Sequence, residues 1–139
     1  MYVDASGVAL EFLSALQHAR HSGTEEAWAR IGELLGDKVV WRFAAGDTGA
    51  PWWNKLSGLE EVLNVLHSPG AGWIVQNTET VNTFSDGEQV LVEQMLGLPD
   101  NFGEGEWRKP IAHVFVVRDG VIQEIRTYRN DLQTNVHGS

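Results

Sequence analysis

Residues 111–131, IAHVFVVRDGVIQEIRTYRND, constrain the fold more than any other stretch of the chain. Apolar residues recur at alternate positions on both sides of Asp119-Gly120. That pattern, broken by an Asp-Gly pair, predicts two antiparallel strands joined by a tight turn. On the first strand, His113 falls in line with Ile111 and Phe115. A polar, titratable ring therefore shares a strand face with apolar neighbours, and the question is what that face looks onto.

The rest of the chain supplies the elements around this hairpin. Residues 6–23 read as a helix with a broad stripe of Val8, Leu10, Phe12, Leu13 and Leu16, capped by Ser6 and ended by Gly23. Residues 24–36 form a second helix, with Thr24 as its cap and Glu25 and Glu26 in its first turn. A short strand follows at 37–43, then a loop at 46–55 marked by Gly, Asp and Pro. Residues 57–70 give a third, short helix ended at Ser68-Pro69-Gly70. Strands are expected at 72–84 and 88–98, with a Gly-rich loop at 99–107 before the final hairpin. Helices come first and strands last, so the class is α+β, with an antiparallel meander. A strongly curved sheet of this kind wraps around the three helices of the N-terminal half as a half-open cone with one deep pocket.

Size and charge narrow the partners. The 139 residues suffice for one domain, spanning 1–139, and no repeat or linker divides it. The net charge of -9 repels nucleic acid and anionic membrane, so neither is expected as a partner. The absence of cysteine removes disulfides, thiolate metal sites and cysteine nucleophiles. No apolar run approaches a membrane span, and the N-terminus lacks the pattern of a signal peptide, so a cytoplasmic protein is the expectation. Six tryptophans fit either a Trp-rich core or a pocket for a large apolar ligand.

The helix pair, the strand DKVVWRF, the segment LSGLEEVLNVL and the final HVFVVRDGVIQEIRTYRND together resemble the SnoaL-like family. That family shares its cone-shaped α+β superfamily with ketosteroid isomerases and limonene-epoxide hydrolases. The resemblance covers nearly the whole chain and implies the fold more firmly than the reaction. The positions implied to carry epoxide hydrolysis are occupied here by Gln94 and Leu96, by Thr127, and by Trp41 and Phe43. Without a carboxylate pair there is no base for water and no acid for the epoxide oxygen. The position of the isomerases' proton-donating acid is occupied by His113, and their base has no clear match, with Asp47 nearby but in a loop. The acidic residue usual in the cyclases' last strand again falls near Thr127.

Anchored on the resemblance, alternation assigns the strand faces. The inward residues are Val39, Trp41 and Phe43; Val90, Val92, Gln94, Leu96 and Leu98; Ile111, His113, Phe115 and Val117; and Gln123, Ile125, Thr127 and Arg129. Arg42, Glu93, Met95, Val114, Val116, Glu124, Arg126 and Tyr128 face outward, a mixture suited to partial solvation and to a homodimer contact. The inward polar points, His113, Gln94, Thr127 and Arg129, are the candidate catalytic residues. They bond either one another, as His113 with Gln94 or Thr127, or a ligand, since a buried unmet polar group is costly. Trp41, Phe43, Val92, Leu96, Leu98, Phe115 and Ile125 are the candidate substrate wall. Trp52 and Trp53 either pack back on the core or line the cone's mouth.

The loop 99–107 carries Phe102 and Trp107 among glycines and glutamates, and reads as a lid or as a plain hairpin tip. His18 and His21 suit the end of the first helix, and His137 lies in a polar tail. No cluster has metal-ligand spacing and no phosphate cradle precedes a helix, so neither metal nor nucleotide cofactor is expected. The function implied is a cofactor-free cyclase of natural-product biosynthesis, polyketide antibiotics included, closing a ring in a large apolar substrate by pericyclic or conjugate-addition chemistry. The alternatives are an isomerase or epoxide-opening enzyme with a rearranged acid/base set, and a non-catalytic binding domain.

Overall fold

The computed structural model describes residues 4–44, 55–67, 78–99 and 106–129. Three helices, α1 (Ala5–Ser22), α2 (Glu25–Leu34) and α3 (Leu59–His67), accompany six strands. The strands are β1 (Leu35–Ala44), β2 (Lys55–Ser57), β3 (Thr78–Asp86), β4 (Gln89–Pro99), β5 (Glu106–Arg118) and β6 (Val121–Arg129). They form one curved, unclosed sheet in the order β2-β1-β6-β5-β4-β3. The α+β class and the sheet wrapped around helices agree with the sequence reading, and α1 packs against β3, β4, β5 and β6.

The meander from β3 to β6 is antiparallel throughout, but β1 joins β6 in parallel. The sheet is therefore mixed, because the chain crosses from β1 at one end of the meander through α3 before the meander begins. The strand β2 was not anticipated. It runs from Lys55, the end of the expected loop, to Ser57, the first residue of the expected third helix, and only Leu56 of the three is buried. The loop expected at 99–107 is shorter than supposed. Pro99 pairs with Glu106 and Leu98 with Trp107, so its two ends extend β4 and β5. The remainder, including Phe102, lies outside the described residues, and the lid reading with it.

Local signals explain most element ends. Thr24 caps α2 by accepting from the Ala27 N–H at 3.3 Å, and Gly23 ends α1 in the left-handed region, giving its N–H to Ala19 O at 2.8 Å. The expected Ser6 cap is replaced by Asp4, which stands one residue before the helix; Ser6 Oγ instead donates to the Asp4 carboxylate at 2.6 Å. The hairpin turn has Asp119 at φ 58° and Gly120 at φ 79°, the left-handed pair that matches strand twist.

Bulges bend the sheet and reset its alternation. Between Val116 and Val117 the pairing slips, so that Val117 opposes Ile122 and Val116 opposes Glu124. Ile122 is thereby fully buried, and Gln123, expected inward, is displaced to a half-buried position. Gln123 lies against Gly36, where an added Cβ would stand 3.1 Å from its amide oxygen. The pairing of β1 with β6 shifts register in this region, between Leu35 and Val40.

Candidate active site

Three cross-strand rows build the concave face. The middle row runs Phe43, Thr127, His113, Val92 and Thr83 across β1, β6, β5, β4 and β3. A second row holds Trp41, Ile125, Phe115 and Val90, and a third holds Arg129, Ile111, Gln94 and Thr80. Alternation thus delivers His113, Thr127, Gln94, Trp41, Phe43, Val92, Phe115 and Ile125 to one side, where all are buried. Arg129, Leu96, Leu98 and Trp107 are fixed in strand register only. Trp52, Trp53 and Asp47 lie outside the described residues.

The floor is a close aromatic packing. Phe12 of α1 meets Trp41 and Phe115 edge-on, each with ring centroids 5.9 Å apart. Trp41 stacks on Phe43 at 5.4 Å, two residues on along the same strand. Trp41, Phe115, Val92 and Ile125 are all within 1 % of complete burial and belong to the core that α1 covers. They position the polar groups whatever they do for a ligand.

His113 is bonded within this wall. Its Nδ1 lies 2.8 Å from Thr127 Oγ1, directly opposite on β6. The same oxygen accepts the indole N–H of Trp41 at 2.8 Å. Burial, with no charge to offset it, pushes the imidazole from its ordinary 6.5 down to about 4. His113 is therefore neutral near pH 7, poor as a base and able to donate or accept a hydrogen bond. Of the two internal partners considered from sequence, Thr127 and not Gln94 holds it.

Gln94 finds its partner on the other side. Its Nε2 donates to Thr80 Oγ1 at 3.3 Å across β3 and β4. Its Oε1 is buried and receives no hydrogen bond among the described residues. A hollow of about 270 Å³ opens here between α1 and the sheet, lined by Leu10, Leu13, Ser14, Gln17, Thr80 and Gln94. Thr80 was missed by sequence reasoning: register puts it opposite Gln94, and an irregularity between Thr80 and Asn82 breaks the alternation of β3. A larger groove, of about 500 Å³, lies on the convex face among Glu93, Met95, Ala112 and Tyr128, away from His113. Convex-side side chains bear out the outward set, with Glu124 3.5 Å from Arg42 and 3.1 Å from Arg126.

Among the described residues, no three metal-ligating side chains come together, and no helix is long and apolar enough to cross a membrane.

A sheet cupped around α1, with its few polar groups on the concave side, defines a domain whose chemistry is set by a handful of inward side chains. The SnoaL-like domain model matches residues 11–125, and the chain belongs to the SnoaL-like family. No curated protein sequence matches it.

Solved structures share the fold at low identity. An LEH-like epoxide hydrolase of M. tuberculosis is 23% identical, with a TM-score of 0.66, over 96% of this chain and 87% of that one. A putative ketosteroid isomerase from Kribbella flavida is 17% identical, with a TM-score of 0.66, over 90% of this chain and 76% of that one. TerC, co-crystallized with polyporic acid, is 13% identical, with a TM-score of 0.68, over 93% of this chain and 96% of that one. At these identities the likeness concerns fold alone.

Proposed function

We propose that the protein is a cofactor-free cyclase that closes a ring in a large apolar, polyketide-like substrate held against the concave face. One observation carries this reading. Among the described residues, the buried polar side chains are Gln94, His113 and Thr127, and none is a carboxylate. Epoxide opening and double-bond isomerisation need a strong base, an acid, or both, in the site. Among the described buried residues the one titratable group, His113, is held neutral by burial. A pericyclic or conjugate-addition closure needs a folded near-attack conformer and one or two hydrogen bonds, which an apolar wall with a neutral imidazole can supply.

Two further parts of the reading are proposed with it. The protein acts in the cytoplasm. It forms a homodimer through the convex face, where Val81, Phe84 and Tyr128 are 50%, 55% and 42% exposed.

The test is incubation of the purified protein with linear polyketide intermediates, and in parallel with an epoxide and a ketosteroid, followed by mass and NMR analysis. A cyclic isomer of unchanged mass supports the reading. A product heavier by one water from an epoxide, or a shifted double bond in a ketosteroid, would replace it. A ligand recovered unchanged would make the protein a binding domain.

A further inference from the structure

The hydroxyl of Thr127 stands between two ring nitrogens and has one hydrogen to give. Trp41 Nε1 carries a hydrogen and no lone pair in the ring plane, so it can only donate, and it does so to Oγ1 at 2.8 Å. With that donor fixed on one side, the hydroxyl hydrogen must turn elsewhere. His113 Nδ1 is 2.8 Å from the same oxygen, and Thr127 makes no other side-chain hydrogen bond among the described residues.

Two arrangements of the pair can be drawn. In the first, Thr127 donates to a bare Nδ1 and the ring proton sits on Nε2; in both arrangements Nε2 has no partner among the described residues, so the hydroxyl hydrogen decides between them. In the second, Nδ1–H donates to Oγ1, and the hydroxyl hydrogen is left buried without an acceptor. Thr127 is 1% exposed, so water does not relieve it. An unmet buried polar hydrogen disfavours the second arrangement by roughly ten- to hundredfold in population.

We propose that Thr127, with Trp41 behind it, is a positioning residue that fixes the proton of His113 on Nε2. His113 then presents a hydrogen-bond donor and not a base on its far nitrogen. The substrate it suits carries a hydrogen-bond-accepting oxygen, a carbonyl or quinone-type oxygen, at the point of closure. This substrate step rests on the cyclase reading above; the proton assignment does not, so the two can fail separately.

Nitrogen-15 NMR of the imidazole rings tests the assignment without any substrate, with His113 identified by its absence in His113→Asn. The expected wild-type spectrum has an unprotonated, hydrogen-bonded Nδ1 and a protonated Nε2. In Thr127→Val, the Nδ1 resonance moves to the position of a nitrogen without a hydrogen bond, and the Nδ1–H form becomes detectable. Thr127→Ser restores the wild-type pattern. Thr127→Ala replaces the valine variant if the latter does not fold. A wild-type ring protonated on Nδ1 overturns the proposal, as does an Nδ1 resonance that is the same with and without the Thr127 hydroxyl. For the substrate step, His113→Gln keeps a donor and His113→Leu does not. The expected result is a kcat that falls at least tenfold more in the leucine variant, and equal losses would overturn it.

Discussion

Gln94 donates an amide N–H to Thr80 at 3.3 Å, and the oxygen of the same amide is buried with no donor to accept from among the described residues. Half of the amide is thus matched and half is not. A buried unmet acceptor costs about 1–3 kcal/mol. Gln94→Met keeps the side-chain length and removes that oxygen, while Thr80 is exposed and turns to water. The expected outcome is a protein at least as stable as wild type, with a gain of roughly 1 kcal/mol in denaturant melts. A clear loss of stability would mean that the oxygen has a partner in solution.

His113 makes stability depend on pH in one direction. Its folded value of about 4 lies below the ordinary 6.5, so between those values the unfolded chain binds a proton that the native one refuses. Stability therefore falls as pH drops through that window, by roughly 3 kcal/mol in full, and the contribution levels off above 6.5. Urea melts of wild type and His113→Gln at pH 7 and at pH 4.5 read this as a difference. The glutamine variant should lose less stability on acidification, and equal losses would show that His113 is not the group concerned.

Replacing His113 with alanine should lower turnover at least about tenfold, a lower bound on the roughly hundred- to thousandfold loss expected for one hydrogen-bond donor at a reacting oxygen. The comparison needs a folded variant, checked by near-UV circular dichroism. Wild-type turnover in that protein would end the catalytic role of the ring.

Trp41 is held edge-on by Phe12, stacked by Phe43 and bonded to Thr127. Trp41→Ala empties the centre of this packing and is expected to cost about 3–5 kcal/mol, a large share of the stability of an ordinary domain. Trp41→Phe retains an aromatic ring but loses the N–H, and should cost about half of that or less. Thermal melts of both variants check the order. Turnover in the phenylalanine variant then shows whether shape alone sustains activity.

Alternation makes much of this legible in the sequence. One inward anchor on each strand was enough to put Trp41, His113, Thr127 and Gln94 on a common face. It failed at Gln123, because a bulge inserts one residue and hands the inward place to Ile122. A bulge has no period-two signature of its own. β2 was invisible because three residues with a single buried leucine carry no periodicity. The parallel joint of β1 with β6 was hidden for a different reason, since strand order depends on tertiary closure and leaves no local mark. Which partner holds His113 was likewise undecided by sequence: Thr127 and Gln94 both lie inward, and only register puts one of them directly opposite.

The parallel joint has a consequence for how the chain is made. Trp41 and Thr127 are 86 residues apart, and β6 is the last described strand to be synthesised. A nascent chain emerging from the ribosome carries Leu35–Ala44 with one edge unpaired until Val121–Arg129 follows, an interval on the order of ten seconds at typical elongation rates. Through that interval an apolar strand edge is open to neighbouring chains. The hydroxyl that joins the indole to the imidazole arrives with the closing strand, so an incomplete chain exposes the liability of the fold before it holds any part of the site in working order.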